Sequence, residues 1–581
     1  MLLIACAGLA WIAFSPPQAP VRQEPVFASI PPPEGGAYLS TGLQAGPVSV
    51  SPDGRRMVFL VRDAEGLERL WLRELSETQP RPLPGTDAAT RVFWSPDSRS
   101  IGFFADGKLR RVDVNGGPIM TLADASDARG GSWSKAGQIL YTPNFLGPVH
   151  LISADGGPSR PVTVIDEARN ESTHRYPFFL PDGRHFLFLA RQTGAGSGKE
   201  PTIFAGDIDS DERTKVVSVA SNPVYAAGHI LFTQEYALMA QPFDPVSLKT
   251  TGPAQPLVPR LRYDRRFSLG VFSASATLLA YQTGDGEKSL LSIYDRSGKL
   301  LRDLGDPSQY LGLAISPEGR RVAFALLDPG SGAGDIWMQD LEDDLRTRIS
   351  FGAGDEFSPQ WHKDGSEIFF AGSDENKGTL FSKSLSGRAS KREIASLAAG
   401  SNVTSIGTDY IIYDVEAGAR QAITAVPLNG DGETLTIGRA NDSGPGSTWG
   451  GRLSPDGRWL GYASDATGRS EVYIMPFPEG GGRWQVSTSG GEEIAWRADG
   501  KEMFYLGLDG AMMAAEIRAG EDSLQVGTVR RLFRVPTATT PGVRFDVFPD
   551  GQSFVLNRSL LSAEDVPVTL LLNWTSLLKD R

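Results

Sequence analysis

The sequence predicts an all-β protein assembled from about twelve copies of one four-stranded unit, and three observations predict it. A Ser-Pro-Asp-Gly-Arg turn, whole or degenerate, returns about every 45 residues. Alternating strands follow each turn at the same offset. After residue 15 no segment of three turns keeps a helical period, while 66 Gly and 40 Pro are scattered where tight turns need them.

The turn is the primary signal. Its clearest copies begin at Ser51, Ser95, Ser316 and Ser454, with variants at Ser134, Leu180, His362, Arg497 and Phe548. Degenerate copies fit the gaps at Ala226-Ala227-Gly228, Ser273-Ala274-Ser275 and Ile406-Gly407-Thr408. Proline presets φ at the first corner, aspartate bonds to nearby backbone, and glycine takes the left-handed position. One copy would be an ordinary hairpin; a dozen in register make a repeat.

The strands come next. Arg56 to Val61 follows the first turn, then Arg69 to Leu75, then the Pro-rich Arg81 to Gly85. Proline is tolerable in that last strand because an outer edge can spare a donor. The order repeats over Arg321 to Leu327, Asp335 to Leu341 and Arg346 to Ser350. Four antiparallel strands at this period are the blades of a β-propeller. Twelve blades exceed the usual single ring of four to eight. Two rings of six are therefore expected, over 26–306 and 307–581, with seven plus five as the alternative. Trp71, Trp94, Trp133, Trp337, Trp361 and Trp496 hold fixed places in the repeat, which suits packing between blades. The strand at 566–572 should complete a sheet beside the N-terminal segment, or close the second ring locally, since a free edge invites aggregation.

Composition narrows the function. A net charge of −12 and a pI near 5.2 argue against nucleic acid as a partner. The basic runs Arg260–Arg266 and Arg518–Arg534 read as solvated loops and edge strands. Cys6 is the only cysteine, so the chain has neither an internal disulfide nor a thiolate pair. Residues 1–14 are apolar and 15–25 rich in proline; the first stretch is short for a membrane span and lacks a basic flank. A membrane anchor or its remnant is the expectation, with a cleaved export signal as the alternative.

No catalytic motif stands out. Gly194 to Lys199 lacks the spacing and following helix of a phosphate loop. Asp207 to Glu212 lacks the turn glycine and terminal glutamate of an EF-hand, and reads as a charged hairpin tip. His150, His174, His185, His229 and His362 show no zinc spacing. A Gly-x-Ser-x-Gly elbow is absent from the sequence. Neither metal nor cofactor is expected. The candidate ligand contacts are His174 and Arg175, ahead of one inner strand, and Asp355 and Glu356, ahead of another.

The Ser-Pro-Asp-Gly-Arg copies resemble TolB-like, WD-repeat-like propellers. Ser29 to Gly35, Ile101 to Leu109, Ser172 to Pro177, Leu238 to Asp244 and Thr569 to Trp574 resemble, more specifically, the propeller ectodomain of bacterial transmembrane serine/threonine protein kinases. That likeness covers nearly the whole chain and implies a cytoplasmic kinase, one membrane helix and an external propeller. The Gly-rich loop, His-Arg-Asp and Asp-Phe-Gly segments of a kinase do not occur in this sequence. The expected function is a non-catalytic, membrane-tethered, extracytoplasmic module that binds a protein or small ligand. The alternatives are a propeller hydrolase with a metal at one mouth and a soluble periplasmic scaffold.

Overall fold

The computed structural model describes residues 24–40, 48–63, 67–125, 128–144, 146–166, 169, 171–191, 201–264, 267–284, 288–328, 333–351, 354–374, 377–386, 390–397, 401–417, 420–428, 433–438, 446–520, 523–535, 543–560 and 566–578. The apolar start at 1–14, most of the Pro-rich stretch and the 194–199 loop lie outside them. The described chain is nearly all β, with helix confined to short 3-10 turns such as Trp574–Leu577. No helix among the described residues is long and apolar enough to cross a membrane.

Twelve antiparallel blades form two six-bladed propellers. Blades 1 to 5 of the first ring cover Ala37–Asp87, Thr90–Asp124, Gly131–Pro161, Thr173–Ser218 and Val224–Val258. Blades 1 to 5 of the second cover Tyr310–Arg348, Glu356–Leu397, Asn402–Ile437, Thr448–Gln485 and Glu492–Arg534. Each ring has a sixth, composite blade. In the first ring Phe272–Ala274 and Leu278–Tyr281 are joined by Val568–Leu572 and then by Val26–Ile30. In the second, Phe545–Val547 and Ser553–Ser559 are joined by Ser289–Asp295 and Leu300–Ser308.

This pairing corrects the expected division. A cut at 306/307 would run through Leu300–Ser308, a strand of the second ring, and would separate Val568–Leu572 from the first ring it closes. The second ring is contiguous and sits inside the closing blade of the first. Of the two expected places for the C-terminal strand, the structure has the one beside the N-terminal segment.

Local chemistry explains why the turns recur. Ser51 Oγ donates to Asp53 Oδ1 at 2.5 Å and accepts the Arg56 N–H at 2.9 Å, while the Gly54 N–H closes the turn on the Ser51 carbonyl at 2.8 Å. The same Ser–Asp bond, at 2.6 Å, forms at Ser95 and at Ser454. Gly54 has φ +71°, a conformation that glycine adopts without strain. The tryptophan before the turn staples neighbouring blades. Trp94, Trp361 and Trp496 donate their indole N–H to the carbonyls of Ser49, Ala314 and Arg452 in the preceding blade, at 3.0 to 3.1 Å.

The cores lie between blades. Leu278, Ala280, Val568 and Leu570 of the first closing blade pack on Val50, Met57, Phe59 and Val61 of blade 1. Leu291, Leu304 and Val555 pack likewise on Leu313, Val322 and Phe324 in the second ring. Each closing blade is therefore held by apolar burial as well as by its ladder.

Candidate functional site

In seven blades the residue four positions ahead of the turn has positive φ: Arg91 (+47°), Gly130 (+104°) and Tyr176 (+54°) in the first ring, Gly312 (+139°), Ser358 (+53°), Gly450 (+68°) and Glu493 (+46°) in the second. At all of these but Gly130 the ladder shifts register by a bulge. An extra residue bends the strand and re-aims its side chain.

In the first ring this register brings arginines together. Arg91 belongs to blade 2, Arg129 leads into blade 3 and Arg175 belongs to blade 4; all three are buried. The connector from blade 5 to the closing blade forms the hairpin Tyr263–Asp264 with Leu269–Gly270 and carries the buried Phe267. The Arg91 and Arg129 guanidinium carbons lie 5.5 and 5.2 Å from the centre of the Phe267 ring. Groups from such different blades can meet only at the axis. Each cation–π contact is worth about 0.5–2 kcal/mol when desolvated.

The hairpin is held firmly. Tyr176 donates its hydroxyl to the Phe267 carbonyl at 2.7 Å, Tyr263 donates to the Ala220 carbonyl at 2.6 Å, and Arg191 Nη1 donates to Ser268 Oγ at 2.7 Å. Asn222 Oδ1 accepts the Gly270 N–H at 2.7 Å. Asp264 Oδ1 accepts the Phe267 N–H at 3.3 Å and brings a carboxylate to the same hairpin. Arg262 is also buried, so part of the run Arg260–Arg266 is core, not the solvated loop its charge pattern suggests. Burial, followed by the charges of Arg191, Arg129 and Arg91, holds the Arg175 guanidinium well below the usual arginine value. Arginine stays charged regardless.

His174, beside Arg175, faces elsewhere. It is fully buried, with Nδ1 2.8 Å from Thr163 Oγ1, Nε2 3.1 Å from Glu171 and its ring on Phe188. Burial pushes its pKa down. Burial would raise Glu171, but hydrogen bonds from His174 and Arg213 overcome that and hold it at about 2. This network ties blade 4 to the preceding connector.

Asp355 and Glu356 lie at the start of blade 2 of the second ring. Asp355 Oδ1 accepts the Gly334 N–H of blade 1 at 3.0 Å, and Glu356 is buried with Lys391 Nζ 2.8 Å away. These contacts join strands. The second-ring axis also carries titratable groups tied between blades: Arg544 bridges Glu492 and Glu493, while Asp414 accepts the Gly450 N–H at 3.0 Å and Asp546 the Ile315 N–H at 2.8 Å. Arg452 Nη1 donates to Gln360 Oε1 at 2.9 Å across the axis. A groove of about 820 Å³ between blades 4 and 5 is rimmed by the pairs Arg458–Asp456, Arg497–Asp499 and Arg518–Glu516.

The Asp207–Glu212 segment is a hairpin between Thr202–Asp207 and Ser210–Ser218, with Asp207 paired to Arg184 at 2.8 Å. No cluster of three or more His, Cys, Asp or Glu suited to a metal occurs among the described residues. Sequence reasoning singles out Arg175 but misses Arg91, Arg129, Arg191, Arg262 and Phe267. The signal was available: an arginine stands four or five residues before the turn in three successive blades.

No family model matches the chain. It is 28% identical over 110 residues to an uncharacterised Escherichia coli protein, YidR, and spans about a quarter of that relative, the match covering 16% of this chain and 26% of the other. A solved chain described as a TolB from Agrobacterium tumefaciens is similar at 15% identity and a TM-score of 0.37, over 48% of this chain and 100% of that one. The tricorn protease is similar at 13% identity and a TM-score of 0.31, over 90% of this chain and 53% of that one.

Proposed function

We propose that this chain is a non-catalytic propeller scaffold, held outside the cytoplasm by its N-terminal segment, that presents its first-ring mouth to a protein or small ligand. The observation that carries this reading is the convergence of Arg91 and Arg129 on Phe267, with the buried Arg175 near enough to feel both guanidinium charges. A ring that only had to close would fill its axis with apolar side chains, because buried charges cost several kcal/mol each before pairing. Its second ring joins Arg544 to Glu492 and Glu493 and seats Asp414 and Asp546 on backbone N–H groups of a neighbouring blade. The resemblance to kinase ectodomains suggests a sensor whose signalling partner lies across the membrane. Residues 1–14 would supply the tether.

Two measurements test this. Removing residues 1–23 should shift the protein from membrane to soluble fractions; continued sedimentation with membranes contradicts the tether. A photo-crosslinking residue at the exposed Tyr236, whose ring meets Tyr263 of the mouth hairpin, should give a discrete adduct in cells. Arg129→Gln should abolish that adduct. An adduct indifferent to Arg129, or none, contradicts binding at this mouth.

A further inference from the structure

We infer that the first propeller rests on a lipid surface by the turn end of its last two blades, which points the Phe267 hairpin away from the bilayer. The inference rests on the N-terminal tether proposed above and says how the ring meets the membrane.

Strand directions fix which end is which. In the closing blade Leu278–Tyr281 leaves the turn at Ser275, and Leu278, Leu572 and Val26 lie side by side at that end. Asn573 closes it, donating its N–H to the Thr277 carbonyl at 2.7 Å and its Nδ2 to the Glu24 carbonyl at 3.0 Å. Trp574 is buried beside it, with its indole N–H on the Ser275 carbonyl at 3.1 Å and its ring 6.0 Å from that of His229 in blade 5. His229 pairs with Pro242, and just beyond that pair the chain turns through Val246, between Asp244 and Lys249. The Phe267 hairpin precedes the inner strand Phe272–Ala274 and lies at the opposite end of the ring.

Large apolar side chains are exposed in a group at the turn end. Val246 is 87% exposed and Phe27 57%, and Val26, Leu572 and Leu577 are exposed with them. All five come from two adjacent blades. The other exposed large apolar residues described in this ring are Leu67, Val164 and Tyr236. They lie at the opposite end, one each on blade 1, the connector after blade 3, and blade 5. Single exposed apolar residues are ordinary on a soluble surface; a group of them marks a contact.

The tether selects what makes that contact. The described residues begin at Glu24, on the turn end, and the apolar residues 1–14 are joined to it through the nine residues 15–23. Fully extended, nine residues reach about 30 Å. A bilayer holding residues 1–14 is therefore never further than that from the apolar group, and so short a tether supplies it at high effective concentration. Apolar side chains gain from burial at the boundary of headgroups and acyl chains without spanning the bilayer. Tyr236 and the Phe267 hairpin then face the aqueous side, open to the ligand.

The test uses the full chain on vesicles of phosphatidylcholine and phosphatidylglycerol, in a Cys6→Ser background. Phe27→Cys, Val246→Cys and Leu577→Cys are each labelled with an environment-sensitive fluorophore, beside Leu67→Cys and Val164→Cys as controls. Nitroxide lipids should quench the first three labels at least threefold more than the two controls, and the emission of the three should shift to the blue only with vesicles present. Phe27→Glu together with Leu577→Glu should bring quenching of the Val246 label down to the control level while the protein still floats with vesicles. Hydrogen exchange of the unaltered protein reads the same contact if a variant fails to fold: amides at 244–248 and 573–578 should slow severalfold on vesicles, and those at Leu67 and Val164 should not. Equal quenching of all five labels on protein that floats leaves the tether and overturns this inference, as does undiminished quenching in the glutamate pair. Protein that does not float overturns the tether and this inference with it. A blue shift without vesicles assigns the patch to residues 1–14 folded back upon it, and overturns the lipid contact.

Discussion

Burial lifts the Asp414 carboxyl to about 7, against the opposing pull of the Gly450 N–H it accepts at 3.0 Å. In the unfolded chain the same group titrates near 3.8. Between those values the folded state holds more protons, so this contribution is full below about 4 and is lost as pH rises through about 7. Asp414→Asn keeps an acceptor for Gly450 and carries no charge. It should stabilise the second ring at pH 8 by on the order of 1–2 kcal/mol, and less at pH 5. Urea unfolding at the two pH values checks this; a variant weaker than the parent at both contradicts it. Trp361 supplies a second prediction. Trp361→Phe retains a ring but strands the Ala314 carbonyl, for a cost of about 1–3 kcal/mol in the same assay. At this scale the sequence is only partly legible. The serine, aspartate and glycine of a turn act within five residues, so their roles can be read directly. Arg91 and Phe267 meet across 176 positions, and nothing local announces the contact.

Strands were the most readable elements because each follows its turn at a constant offset. Even the degenerate copies hold: Ala226-Ala227-Gly228 turns Val224–Ala226 into His229–Gln234, and Ile406-Gly407-Thr408 turns Asn402–Ile406 into Tyr410–Ala417. Bulges were not readable, since arginine, tyrosine, serine, glutamate and glycine all occupy them. Pairing partners of the terminal strands were readable only as alternatives, because ladder bonds carry no residue code. Val568–Leu572 lies between Leu278–Tyr281 and Val26–Ile30 and buries Val568, Leu570 and Leu571. Deleting 566–581 exposes the edge of Leu278–Tyr281 and leaves Val26–Ile30 without its partner. The deletion should abolish the cooperative first-ring transition, read by differential scanning calorimetry. A deletion that melts like the full chain contradicts this closure.

At the scale of the molecule, one ring is threaded into the last blade of another. The number of turns predicted twelve blades. It could not show that the chain leaves the first ring after Tyr281, completes the second between Ser289 and Ser559, and returns at Val568. Sequence order and ring membership part company there, which is why a linear division near 306 fails. The arrangement makes the two rings unequal as fragments: all six blades of the second lie within 288–560, whereas the first needs both chain ends. Calorimetry of three fragments tests this most directly: 288–560, 24–284, and 24–284 joined by a short flexible linker to 566–578. The account predicts one cooperative transition for 288–560, none for 24–284, and a restored transition when the C-terminal strand is supplied. A cooperative transition from 24–284 alone, or its absence from 288–560, would contradict it.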